Sequence, residues 1–329
     1  MTFRAARERV VSFKLFVAKD IGADGCIACR DASWRAACTR RRISMKESMS
    51  ARVLFDVLRI AAAMCFVGHG AFGFIGKPGW VPYFAVAGIG SGWAFTLMPI
   101  VGFVDIALGL SVLIRPMKAI FIYMAFWGAW TALLRPLAGQ GVPELLERAG
   151  NYGVPLALLV IGLSMAPRGR WFAKVTPPAL DAARARQVAW VLRVTTATLL
   201  LGHGLLAAMG KPLLLMHLFV AGFGDAGLST LNVLARQGGF EIALAVAVLL
   251  SPGRPLLFFV FLWKVATELM YPLAGDRVWE FIERGGSYGA PLALMLLWGK
   301  IPHASRPAVS DSSVPLPLPP EHGLAAARV

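Results

Sequence analysis

The sequence predicts an all-α polytopic membrane protein with eight transmembrane helices, arranged as two parallel-repeat four-helix bundles. Three observations predict it. The chain is 57% hydrophobic and only 16% charged, with a mean hydropathy of +0.64, whereas a soluble domain carries about 25% charged residues. Its apolar residues are bunched into eight runs, at 53–75, 93–114, 117–134, 145–165, 187–209, 227–251, 254–271 and 280–298. Each is near the ~20 residues that a helix needs to cross the bilayer core. The second half of the chain also repeats the first.

Taken in order, the chain opens with a basic extension, residues 1–50, that has no clean periodicity. The stretch VVSFKLFVA is too short, and too interrupted by Lys14, for a signal-peptide core. MSARVLFDVLRI, from Met49, reads as an ordinary start for a membrane protein. The extension is therefore either a cytoplasmic segment or a stretch outside the natural product. Cys26, Cys29 and Cys38 lie in it, but a structural zinc usually takes four ligands, and no histidine is near. No metal is expected. The first four-helix unit then covers 51–166, a basic cytoplasmic linker 167–186, the second unit 187–299 and a Pro- and Ser-rich tail 300–329. That tail has the composition of a disordered segment.

The net charge of +15 does not point to nucleic acid. The basic residues gather before the first run, at Arg115 and Lys118, at Arg168, Arg170, Lys174, Arg184 and Arg186, at Arg254, and at Lys300 and Arg306. These are alternate loops, all on one side of the predicted membrane. The positive-inside rule then puts both termini in the cytoplasm of a bacterial-type plasma (inner) membrane.

VGHGAFGFIGKP, from Val67, fits the dinucleotide fingerprint G-x-G-x-x-G at Gly68, Gly70 and Gly73. That fingerprint needs a strand before it, and Arg52 to Phe66 reads as a helix. The motif recurs as LGHGLLAAMGKP, from Leu201, where Ala207 replaces the third glycine. A turn that must cradle pyrophosphate would not lose it. The shared G-H-G reads as small residues that admit a neighbouring helix. Lys77 and Pro78 mark the helix exit, with the lysine snorkelling to the outer surface.

The repeat continues. His69 and His203 are 134 residues apart; after a two-residue slip, GFVDIALGL meets GGFEIALAV and ELLERAGNYGVPLAL meets EFIERGGSYGAPLAL, 136 apart. This is a tandem duplication. Four spans per unit give both units the same orientation, related by an axis along the membrane normal.

The unit resembles the DoxX-like family of four-helix membrane proteins, which includes DoxD-type subunits of thiosulfate–quinone oxidoreductase. Three features carry the resemblance: a glycine-bearing first helix that ends near a basic residue (GHGAFGFIGK and GHGLLAAMGK), an acid followed by small residues in the second helix (GFVDIALGLSVLIRP and GGFEIALAVAVLLSPGRP), and an apolar third helix that leads into an acid-bearing fourth. It covers most of 52–165 and of 187–298. Family members are usually single units, and here two are fused. The resemblance implies a setting of quinone- and thiol-linked redox chemistry, with a redox protein partner, more than a particular reaction.

The polar residues of the spans are the site candidates. They are His69, Asp105, Glu144, Glu147, Arg148 and Tyr152 in the first unit, and His203, Glu241, Glu280, Glu283, Arg284 and Tyr288 in the second. Trp127 and Thr131 pair with Trp263 and Thr267. All are expected in the outward-facing half of their own bundle. One reading is structural: Glu144–Arg148 and Glu280–Arg284 are i,i+4 pairs, and Pro155 and Pro291 each free a carbonyl that a donor must serve. The other reading is functional, because a charge at mid-membrane costs about 2.5–3.5 kcal/mol on insertion scales and usually marks a site. Asp105 and Glu241 are the prime cases, each expected near its own unit's histidine and fourth-helix arginine. A quinone, or another membrane lipid, would suit an apolar cleft with a few placed donors. A small-solute or proton-coupled transporter is the alternative. Each unit offers one matched histidine, and His217 aligns with Tyr83, so no haem pair is predicted. No Walker loop or hydrolase motif occurs. The expected protein is a structural or redox-partner subunit, not a standalone enzyme.

Overall fold

The computed structural model describes residues 32–163, 169–176, 180–223 and 228–298, with 32–50, 223, 228 and 229 described by backbone alone. Cys26, Cys29 and the tail after Trp298 lie outside the described residues. So does the side chain of Cys38.

Among the described residues the fold is helical, with no strand beyond one isolated bridge between Met117 and Lys174. The helices are α1 (Ala32–Ile75), α2 (Val81–Val86), α3 (Ser91–Ile114), α4 (Lys118–Leu137), α5 (Val142–Glu147), α6 (Ala149–Leu163), α7 (Ala182–Ala208), α8 (Pro212–Leu218), α9 (Leu228–Leu250), α10 (Arg254–Leu273), α11 (Val278–Glu283) and α12 (Gly285–Trp298). Five stretches are long and apolar enough to cross a membrane: Ser91–Ile114, Lys118–Leu137, Ala182–Ala208, Thr230–Leu250 and Arg254–Leu273.

Local chemistry sets the ends. The α1 and α7 helices stop at Gly76 (φ +71°) and Gly210 (φ +73°), in the left-handed conformation that glycine adopts without strain. The next amides, of Lys77 and Lys211, then bond back to Phe72 O (3.3 Å) and Leu206 O (3.1 Å), a Schellman closure. At its other end α7 is capped by Asp181, whose carboxylate accepts from the Arg184 amide at 2.7 Å.

Polarity is arranged inside out. The α3, α4, α9 and α10 helices turn Trp93, Ile100, Phe103, Phe126, Leu133, Phe240, Leu250, Phe258 and Leu273 outward, while Asp105, Glu241, Lys264, Glu268 and His203 are buried. A water-facing surface does not carry so much contiguous apolar area. The helices fit an integral membrane protein.

At the centre stand α1, α6, α7 and α12. The α3 helix packs on α1 and α9 on α7, while α4 packs on α6 and α10 on α12. Gly150 and Gly286 meet at the crossing of α6 and α12; a Cβ built on Gly150 would lie 2.6 Å from the Gly286 carbonyl carbon.

Two features differ from the sequence reading. The stretches 145–165 and 280–298, expected to be single helices, are each broken at an arginine, Arg148 or Arg284, into a short helix and a longer one. The halves are also not separate bundles. The α11 helix seats on α1, and α5 seats on α7, so each half's broken segment docks on the other half's first helix. Glycine is the physical reason. The place of a Cβ on Gly68 is taken by the Glu283 backbone, and that on Gly202 by the Glu147 backbone. The second glycine of each G-H-G faces its own half: Gly70 lies against Gly102 and Ile106, and Gly204 against Gly238 and Ile242.

Candidate functional site

The docking of each broken segment on the opposite half builds an ion network. On one side, Arg148 Nη1 donates to Glu147 (2.7 Å) and Glu144 (3.3 Å), and Arg135 adds a bond to Glu144 at 3.3 Å. Lys211, from the second half, reaches Glu144 at 2.8 Å and Glu147 at 3.9 Å. On the other side, Arg284 donates to Glu280 (2.6 Å) and Glu283 (3.0 Å), and Lys77, from the first half, reaches Glu280 at 2.5 Å. Arg284 and Glu147, 3.9 Å apart, join the two sides. The lysines of G-K-P therefore do not snorkel outward as the sequence suggested. They turn in to the glutamates, and Lys77 also lies 3.9 Å above the Phe72 ring.

The membrane acids meet the histidines. His69 Nδ1 lies 3.1 Å from Asp105 Oδ2, and His203 Nδ1 2.9 Å from Glu241 Oε2. Glu241 also accepts from Trp263 Nε1 at 2.7 Å. Aspartate is one methylene shorter, and in the first half both Asp105 Oδ1 and Trp127 Nε1 are buried without a hydrogen-bond partner. A void of about 10 Å³ lies there, lined by Asp105, Trp127, His69, Gly128 and Asn151 among others, about the size of one water. The fourth-segment arginines serve their glutamates and not, as expected, Asp105 or Glu241. Tyr152 packs against the apolar core, and Tyr288 donates to Phe281 O at 3.2 Å while stacking on that ring. Neither tyrosine joins the ion network. Thr131 and Thr267 bond back to carbonyls of their own helices.

The sequence reading missed Lys264 and Glu268, an i,i+4 pair at 2.8 Å that is 1% exposed on each side. Two opposite charges four residues apart in an apolar run were the available signal. Glu268 also approaches Arg284 Nε at 3.2 Å and His203 Nε2 at 4.0 Å. The Arg284 approach is off-axis for a hydrogen bond, so it is a charge contact. Tyr271 lies under the Arg284 guanidinium at 3.8 Å, with His217 edge-on to it.

The first half holds a cavity of about 200 Å³ beside His69. Trp80, Tyr83, Phe84, Trp127 and Trp130 form its apolar walls, and His69, Thr131, Arg135, Arg148 and Asn151 supply the polar groups. His69 lies flat against Trp80, with ring centroids 4.5 Å apart. The cavity lies where α3 and α4 touch only lightly and α2 crosses both.

The fold and site together define an all-helical protein of membrane type, with a buried ion network and an aromatic cavity that opens from it. No protein-family model matches the chain, and no curated protein or solved structure matches it.

Proposed function

We propose that the chain is an integral membrane protein of DoxX-like type, made of two tandem four-helix units, whose first unit binds an amphipathic small molecule, a quinone or another membrane lipid, as a subunit serving a redox partner. Each broken segment counts as one span. At 1.5 Å per residue, the 15 residues of α6 cover only about 22 Å, and α5 supplies the rest of the ~30 Å apolar layer. The chain then crosses eight times, with both termini cytoplasmic.

The observation that carries the binding reading is the cavity: an apolar, aromatic space with a few converging donors is the common form of a small-molecule site. His69, Arg135 and Asn151 offer the polar contacts, and Trp127, Trp130 and Phe84 hold the apolar body. The test is extraction. Purified protein, delipidated by exhaustive detergent exchange, should still release one amphiphile at near-stoichiometric yield. A Thr131→Phe protein, with the cavity filled, should release none. Wild-type protein that yields only bulk lipid, in the same proportion as the filled variant, overturns the reading.

A further inference from the structure

The two halves differ where the cavity lies, and the difference specifies a ligand chemistry. We propose that the cavity takes an amphipathic carboxylate, held by the Arg148 and Arg135 guanidinium groups and His69 that line it. This rests on the ligand-binding reading above.

At the register that pairs Trp127 with Trp263 and Thr131 with Thr267, Gly128 stands against Lys264, Ala132 against Glu268 and Arg135 against Tyr271. The second half thus carries a built-in carboxylate. Glu268 lies 2.8 Å from Lys264 Nζ, 3.2 Å from Arg284 Nε and 4.0 Å from His203 Nε2, and is 1% exposed. Arg284 takes this acid in addition to both glutamates of its own E-x-x-E-R.

In the first half the acid and its closest cation, Lys264, are both missing, while the arginine and the histidine are kept and Arg135 stands where Tyr271 does. Arg148 bonds the two glutamates of its own E-x-x-E-R but has alanine where Arg284 has Glu268. His69 keeps its Nδ1 contact to Asp105, as His203 does to Glu241. Both Arg148 and His69 line the cavity, and Arg135 adds a second guanidinium on the same wall. Gly128 lines the smaller void, which shares His69, Trp127, Thr131 and Asn151 with the cavity. A carboxylate that entered from the cavity would meet both arginines and the histidine. Charge-assisted bonds from arginine to carboxylate are among the stronger polar contacts in a dry site. Its apolar body would lie among Trp80, Phe84, Trp127 and Trp130. Trp130, on the cavity wall, is 39% exposed on the outer surface.

The test is competition binding to purified, delipidated protein, with tritiated decanoate as the probe. Decanoate should compete about tenfold or more better than methyl decanoate of the same chain length, and better than acetate, which has the charge without the body. Ala132→Glu, which supplies the acid internally, should weaken decanoate binding about tenfold or more. The ester, or a short-chain ubiquinone analogue, competing as well as decanoate overturns the carboxylate assignment and leaves the ligand-binding reading standing. Acetate competing equally overturns the amphipathic part. If none of these amphiphiles binds, the ligand-binding reading itself falls. Should Ala132→Glu fail to fold, the acid–ester comparison on wild-type protein decides alone.

Discussion

Gly150→Ala probes the crossing at the centre of the fold. The added methyl would sit 2.6 Å from Gly286 C, 2.9 Å from Gly286 O and 2.9 Å from Ser287 N, all backbone atoms, where ordinary contacts begin at 3.4 Å. The neighbours are main chain and cannot swing aside, so α6 and α12 must part by about 1 Å. Overpacking of this kind costs about 1–3 kcal/mol. Alanine in a helix returns about 0.5–1 kcal/mol over glycine. The net expectation is a loss of about 1–2 kcal/mol, or a five- to thirty-fold rise in the unfolded ratio. The assay is reversible unfolding in mixed micelles with sodium dodecyl sulfate, followed by circular dichroism. Gly92→Ala and Gly239→Ala are the controls, since a Cβ on either meets nothing within 4 Å; both should be neutral or stabilised. The double variant Gly150→Ala/Gly286→Ala should cost less than the two singles together, because the first substitution has already parted the helices. A Gly150→Ala protein as stable as Gly239→Ala would refute the close crossing.

Three further expectations follow from the same contacts. Asp105→Asn and Glu241→Gln should both fold, with Glu241→Gln the costlier by about 1 kcal/mol, because Glu241 serves both His203 and Trp263 while Asp105 serves His69 alone; equal losses in the same micelle titration would contradict this. In a chain whose native cysteines are replaced by serine, a cysteine at exposed Gly79 should react with an impermeant maleimide in intact cells and one at exposed Arg170 should not; labelling at 170 would overturn the orientation. Residues 49–176 and 177–329, expressed together as separate chains with one tag, should co-purify, and Lys211→Met should weaken the pairing by removing its contacts to Glu144 and Glu147; if the tagged half purifies alone and folded, the exchanged docking is wrong.

The helical class was legible because burial in lipid demands long apolar runs, and these survive any uncertainty about packing. The glycines of G-H-G were also legible as close-approach positions. Which helix approaches was not. The E-x-x-E-R motif is the same in both halves, so its charges pair equally well on paper with the lysine of their own half or of the other. Only the placement of α5 on α7 and of α11 on α1 chooses the other. The breaks at Arg148 and Arg284 were hidden for a related reason: both arginines sit in helical periodicity, and no proline stands at either break. The cavity was out of reach because its walls come from residues far apart in the chain, from His69 to Asn151. Gly128 and Ala132 look like ordinary small residues of a membrane helix until Lys264 and Glu268 are set against them.

The two halves differ in how they close their buried charges. A buried charge is tolerable only when it is paired, and the half-buried Arg148 and the buried Arg284 sit in the same kind of glutamate nest. In the second half Glu268 is paired with Lys264 inside the bundle, Tyr271 is 1% exposed, and His217 lies edge-on to it. That half is bound by its own side chains. In the first half Ala132 stands for Glu268, while Arg135 and Tyr83 stand for Tyr271 and His217 and line the cavity beside His69 and Arg148. The two halves also lock each other, since Lys77 and Lys211 each cross to the opposite glutamates. A filled half that braces an open one keeps the open one's polar groups in place without a ligand, which is the preorganisation that a binding site needs.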